Sequence, residues 1–195
     1  MKTVLFAAAL AAFTFISNAQ TTKWEFDKVH SNINFVATHM VISKVTGNFS
    51  SYKGTMLSDK DDFTDAKIDF TIDVASINTG NEQRDNHLKS DDFFNAEKFP
   101  TITFKGKSLK KVSGNNYKLT GDLTIRDVTK TVDLDVTFGG IIKDPYGNTR
   151  AGFQIAGTVD RFDYNLKWNA AIETGGLVVG KEIKIDCAVE LIRQK

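Results

Sequence analysis

Residues 67–74 read KIDFTIDV: Ile68, Phe70, Ile72 and Val74 fall on one phase, and Lys67, Asp69, Thr71 and Asp73 on the other. Successive side chains of an extended chain point to opposite sides, so a period of two marks a strand with one face buried and one in water. The same split recurs outward in both directions. Downstream, Ile102 and Phe104 oppose Thr101, Thr103 and Lys105, and Tyr117, Leu119, Leu123 and Ile125 oppose Lys118, Thr120, Asp122 and Thr124. Further on, Val132, Leu134, Val136 and Phe138 oppose Asp133, Asp135 and Thr137. Phe153, Ile155 and Val159 lie opposite Gln154 and Thr158, and Ile183, Ile185, Cys187, Val189 and Leu191 lie opposite Lys184, Asp186 and Glu190. Upstream, strands are expected over 23–27, over 31–39 with Ile33, Phe35 and Ala37 inward, and over 45–57 with Phe49 inward. The set amounts to roughly eight or nine strands.

Turn residues separate them. Gly114-Asn115-Asn116, Arg126-Asp127 and Asp144-Pro145-Tyr146-Gly147-Asn148 suit hairpin connections, which makes the order mostly an antiparallel meander. Gly54, Gly106, Gly121 and Gly157 interrupt strands without a side chain and mark bends that let a sheet curl and close. The expected fold is all-β, an antiparallel barrel of about eight strands. Two segments break the alternation. Residues 80–94 are rich in Asn, Asp, Glu, Gln and Arg and read as short helical turns with Ser90 as a cap. Residues 162–180, around Trp168, read as a long loop.

A lipid-facing barrel needs aromatic girdles outside and a polar lumen. Here the polar phase carries Lys and Asp at mid-strand, so charge faces water and the apolar phase faces in. A barrel of this size is either filled by its own side chains or holds one small ligand. Phe35, Phe49, Phe70, Phe104, Phe138 and Phe153 all point inward but alternate with small residues such as Ala37, Gly106, Ala151 and Gly157. The alternation by itself leaves a filled core and a cavity both open.

The first residues have the order of an export signal: Lys2, an uncharged run from Val4 to Ile16, then Ser17 and Ala19 at signal-peptidase spacing. Residues 1–19 are read as that signal and 20–195 as one domain, since no Pro-, Gly- or Ser-rich linker divides it. The apolar run is shorter than the roughly 20 residues that cross a bilayer, so no transmembrane segment is expected. The whole chain has 25 basic and 24 acidic residues. Removal of residues 1–19 takes Lys2 and no acid, so the balance becomes neutral and nucleic acid is a poor partner. The one cysteine, Cys187, has no internal disulfide partner and lies on the inward phase as a small apolar residue.

Read in order, Trp24, Asp27, His30-Ser31, Ile33, Phe35, His39, Gly47, Phe49, Gly54 and Ser76-Ile77-Asn78-Thr79 resemble the opening half of the YceI family. The most specific part is residues 84–94, RDNHLKSDDFF, followed by 99–104, FPTITF. Residues 121–125 and 128–130, then Arg161, Trp168, Val179-Gly180 and Ile183, are similar to its later motifs. The resemblance covers nearly the whole chain after residue 20. It implies an exported bacterial lipocalin-like barrel, periplasmic, that takes a polyisoprenoid, an isoprenoid quinone or a fatty-acyl lipid lengthwise in an apolar tunnel, with a homodimer as one assembly found in such proteins. Two departures stand out: Arg126-Asp127 where the family commonly has a glycine-containing turn, and Tyr164-Asn165 where it often has Phe-Gly.

On that reading the ligand-binding residues are Phe35, Phe49, Phe70, Ile72, Phe104, Leu123, Ile125, Phe138, Phe153 and Ile155, with Phe93, Phe94 and Trp168 near a mouth and His39 as a polar handle. No cofactor is expected beyond the bound lipid. His30, His39 and His87 fit no standard metal-ligand spacing, and no metal site is expected. There is no Gly-x-Ser-x-Gly elbow, and Asp61-Asp62 and Asp91-Asp92 sit in loops with no apolar pocket to raise a carboxyl, so no enzyme is expected. The alternative is a filled barrel serving as a stress-response or interaction module that offers Phe93 and Phe94 to a protein partner. Within the 84–87 segment, an Arg84–Asp85 pair is expected to tie the loop down, and His39, Arg84, Asp85 and His87 are the only polar set an enzyme acting on a bound lipid could use.

Overall fold

The computed structural model describes residues 21–171 and 176–194; the expected export signal at 1–19 lies outside them. Eleven strand segments are present: β1 (Lys23–Phe26), β2 (Asn32–His39), β3 (Ser43–Phe49), β4 (Tyr52–Leu57), β5 (Lys67–Asp73), β6 (Ile77–Asn78), β7 (Thr101–Ser113), β8 (Asn116–Ile125), β9 (Val128–Lys143), β10 (Thr149–Asp160) and β11 (Val179–Arg193). One helix, α1 (Glu82–Lys89), lies between β6 and β7.

Eleven segments make eight positions around a closed antiparallel barrel. β11 pairs with β2 along its first part, Ile183 opposite Ala37 through Ala188 opposite Asn32, and with β1 along its last, Leu191 opposite Phe26 through Arg193 opposite Trp24. β1 and β2 are thus one wall strand broken at residues 27–31. The expected single strand over 45–57 is likewise broken, at Ser50-Ser51, into β3 against β2 and β4 against β1. β5 and β6 are separated by a 3-10 turn at Val74–Ser76, capped by the Asp73 carboxylate accepting from Ala75 N. From β7 to β11 the expected meander is continuous.

Three inward rings lie back against the wall instead of pointing down the axis. A Cβ on Gly47 would overlap the Phe35 ring, one on Gly54 the Phe70 ring, and one on Gly121 the Phe104 ring. The bare face of each glycine is where a neighbouring phenyl rests. This arrangement separates a lined barrel from a filled one.

One end, between β4–β5, β7–β8 and β9–β10, is plugged. Phe63, in the 58–66 connection, is fully buried and meets Trp24 at 5.1 Å, Phe153 at 5.1 Å and Phe138 at 5.5 Å, each near edge-on. Beside the plug, Arg150 joins the β1–β2 break to the β9–β10 turn and to β11: it contacts Asp27 at 2.6 Å, Asp144 at 2.6 Å and Glu190. Burial by itself would raise the Asp27 carboxyl, but hydrogen bonds with His30, from Arg150 and from Val29 N hold it well below the usual range. The Arg150 hydrogen bond does the same for Asp144. Both groups bind protons less readily folded than unfolded, where a carboxyl titrates near 4. Their stabilisation is therefore complete above about pH 4 and is lost as pH falls through and below it. Urea unfolding midpoints are expected to be flat from about pH 7 to 5 and to fall below about pH 4, with a shallower fall in Arg150→Met.

Candidate functional site

Between the plug and the opposite end runs a cavity of about 260 Å³. Ile183 and Leu191, both in its lining, are eight residues apart, about 26 Å along the strand and about 20 Å along the axis at the usual tilt of a small barrel. The space is long and narrow. Its lining is aliphatic and aromatic apart from Asn34, Cys187 and Arg161. An apolar cavity offers water too few partners to hold it, and is suited to an apolar occupant.

Of the residues expected from the sequence, Phe35, Phe49, Phe70, Ile72, Phe93, Phe94, Phe104, Leu123, Ile125, Phe153 and Ile155 line this cavity. Three expected residues do not. Phe138 stacks on Phe153 at 5.2 Å and belongs to the plug. His39 is the last residue of β2, paired with Ser43 and Val179, so its inward phase falls past the rim. Trp168 lies one layer outside, tilted on Phe93 at 5.3 Å.

The end opposite the plug is covered by residues 82–99 and 161–171. α1 is capped by Asn81, whose side chain accepts from Arg84 N, and its Leu88 reaches the cavity. The turns after Ser90 then bring Phe93 and Phe94 under the helix, with Phe93 N donating to Ser90 O. Phe93 is 5% exposed, which removes it as a surface offered to a protein partner. His87 stacks edge-on against both Phe93 at 5.0 Å and Trp168 at 4.9 Å, with Nε2 at 2.8 Å from Asp92. Arg84 and Asp85 do not form the expected pair; both meet on Thr79. Asp85 accepts from Thr79 N and Oγ1, and Arg84 donates to Thr79 Oγ1 and O. Of the polar set His39, Arg84, Asp85 and His87, the last three are together on α1 while His39 ends β2, and none of the four lines the cavity.

Arg161 is the residue whose role the sequence does not disclose. It is 4% exposed and lines the cavity. Its guanidinium donates to four backbone carbonyls: Gly180 at 3.0 Å, Leu166 at 2.5 Å, Trp168 at 2.8 Å and Val179 at 3.0 Å. No carboxylate contacts it among the described residues, and burial lowers its pKa. The cation thus folds the late loop back onto the start of β11 and takes up carbonyls that would otherwise face an apolar space. A second arginine, Arg126, ties the two halves of the cover together, donating to Phe93 O at 2.8 Å and Asn165 O at 3.2 Å.

Among the described residues, Asp27, His30 and Glu190 are a group of three whose donor atoms lie within 4.8 Å of one another. Spacing of histidines alone could not find it, because Glu190 arrives through the β11 pairing. Arg150 already bridges Asp27 and Glu190, so a cation occupies the electrostatic role there.

The sequence model of the YceI-like domain matches residues 24–191. The chain belongs to the YceI family. A UPF0312 protein of Staphylococcus aureus strain N315 is 41% identical over 170 residues, covering 87% of this chain and 96% of the relative. The solved structure of the Campylobacter jejuni YceI protein matches with a TM-score of 0.70 at 36% identity, over 81% of this chain and 90% of that one. A domain from Saccharophagus degradans described as polyisoprenoid-binding shares the fold, with a TM-score of 0.68 at 19% identity over 88% of this chain and 98% of that domain. Each of the two segments that depart from the expected YceI pattern has one non-glycine residue in the left-handed region: Arg126 has φ 54° and Asn165 φ 62°. Asn tolerates that conformation, and Arg126 is held in it by its bonds to the cover.

Proposed function

We propose that this YceI protein is an exported, periplasmic carrier or store for one long apolar chain of the polyisoprenoid, isoprenoid quinone or fatty-acyl class, held along the barrel axis. The carrying observation is the cavity itself: long, narrow, apolar, plugged at one end by Phe63 and covered at the other by Phe93 and Phe94. Each buried methylene contributes about 0.8 kcal/mol, so ten of them supply about 8 kcal/mol before the costs of association, a scale that binds without any polar contact. The polyisoprenoid-binding description of a domain with the same fold supports the ligand class, and the order of residues 1–19 supports export.

The reading is one of binding without chemistry. The titratable groups in the lining are Arg161, saturated by carbonyls, and Cys187, whose thiol burial pushes up to about 11. Neither supplies a base or a nucleophile at neutral pH.

Native mass spectrometry of the purified protein, followed by solvent extraction, tests the proposal. Recovery of no lipid, together with no uptake of added polyprenol or quinone, would overturn it. A sharper test uses the glycine under Phe35. Gly47→Ala is expected to drive that ring off the wall into the passage, at a cost of about 1–3 kcal/mol in stability, and to weaken uptake of a fluorescent polyene fatty acid. Gly47→Ala with Phe35→Ala is expected to bind again. Equal uptake by the single variant and the wild type would show that the chain does not pass Phe35.

A further inference from the structure

We propose that the cavity measures the chain it takes: its closed end stops an extended hydrocarbon after about 16 carbons, and Phe63 is the residue that sets the stop. The inference rests on the carrier reading and adds to it a limit on ligand length.

The length follows from bond geometry. Single bonds of about 1.5 Å at a chain angle of about 111° advance an extended chain by about 1.25 Å each. The axial span of about 20 Å between the levels of Ile183 and Leu191 takes about 16 such steps, or about four isoprene units of four main-chain carbons each. A longer chain has to leave its surplus outside one end or the other.

The two ends are built differently. At the covered end the cavity meets side chains from segments outside the strands, and Phe94 there is only partly buried. At the other end Phe153 faces the cavity, and behind it Phe63 meets Trp24 and Phe138 as well. Trp24 is in turn opposite Met56, a second cavity residue. Phe63 therefore backs the floor on two sides. Trp24, Phe138 and Phe153 belong to wall strands, whereas Phe63 is delivered by the 58–66 connection, and that connection is pinned. Asp65 accepts from Ser58 Oγ at 2.5 Å and from Asp59 N at 3.0 Å, while Phe63 N donates to Lys60 O at 3.1 Å and Phe63 O accepts from Ala66 N at 3.0 Å. The turn holds Phe63 at φ 57°, where glycine would sit without strain, so a fully buried phenyl is kept there for the space it fills. Carbons beyond the stop have nowhere to go but back through the cover into water, where they add no burial.

Displacement of a bound fluorescent polyene fatty acid by saturated straight-chain fatty acids, in a series that brackets this length, tests the proposal. Each added carbon is expected to tighten binding by about fourfold up to about 16 carbons and to change it little beyond. Phe63→Gly suits the backbone and removes a ring about 5 Å deep, so the break should move out by about four carbons. Val189→Phe adds a ring from the lining two residues before Leu191, opposite Phe153, and should move the break inward by a similar step. This second variant fills space instead of emptying it, which keeps the test open if Phe63→Gly does not fold. Acids shorter than every break should bind all three proteins alike, which a general loosening of the barrel would not produce. Affinity that climbs without a break well past the expected length would overturn the proposal and leave the carrier standing. So would a break unmoved in folded Phe63→Gly, or unmoved in Val189→Phe should the first variant not fold. A wild type that takes up no chain of any length, polyprenol and quinone included, removes the carrier and the length limit with it.

Discussion

Arg161→Met is expected to lower the unfolding free energy by about 3–5 kcal/mol, read as a shift of the urea midpoint at unchanged slope. The figure follows from what the side chain leaves behind. Its stem fills the same space as methionine, so little packing is lost. Three carbonyls, of Leu166, Trp168 and Gly180, lose the donor that Arg161 supplies in a place where the cavity offers no replacement, and that of Val179 is left with Asn169 Nδ2 alone. A hydrogen bond to a charged group is worth about 1.5–3 kcal/mol, but four on one guanidinium are not additive, since the charge also carries a cost of burial. Arg161→Lys tests the geometry separately. An ammonium has three donors on one atom and cannot fork to carbonyls on both sides of the loop, so it should recover less than half of the loss. A midpoint within experimental error of wild type for Arg161→Met would mean that the late loop is held by its apolar contacts, Leu166 and Trp168, and not by the arginine.

Phe63→Ala is expected to cost about 3–5 kcal/mol, the range for removing a phenyl from a core that cannot collapse. Collapse is blocked here because its neighbours, Trp24, Phe138 and Phe153, are each fixed in separate strands of the closed wall. Phe63 itself has φ 57°, a left-handed conformation that a phenylalanine adopts only under constraint, so the plug is held against local strain. Alanine at the same φ keeps that strain and loses the contacts. The substitution should also open the cavity at its closed end. If urea unfolding finds a loss below about 1 kcal/mol, the plug is not a core element.

Walls and ends of the barrel differ in how far they can be read from residues alone. The walls follow from alternation: KIDFTIDV predicts β5 and its inward phase, and eleven of the fourteen expected site residues line the cavity because a period of two carries orientation as well as structure. Phase gives the side a residue faces and not its height along the axis, which is why His39, the last residue of β2, falls past the rim and Phe138, within β9, lies at the level of the plug. Phe63 has no alternating context, and nothing in residues 58–66 distinguishes a surface turn from a stopper. Arg161 is legible as a family residue but not in its role, since its partners are backbone carbonyls, which every residue has. The break at 27–31 is expected from the sequence, which separates strands at 23–27 and 31–39; those at 50–51 and 74–76 are not, although the buried phase shifts parity across each, from Phe49 to Tyr52 and from Val74 to Ile77. The choice between a filled barrel and a hollow one turned on where rings lie relative to glycines one strand away, a relation across strands that no single stretch contains.

The pairing of β11 with both β1 and β2 has a kinetic consequence. Trp24 sits opposite Arg193, so the ring is sealed by contacts that span almost the whole described sequence. Hairpins β7–β8 and β9–β10 can form from neighbours in microseconds, but the seam must wait for the last strand to find the first, and the loop entropy of that search is met only at the end. Refolding should therefore be slow, in the millisecond-to-second range of non-local β-proteins, and the greased trough that precedes closure is the state most exposed to aggregation.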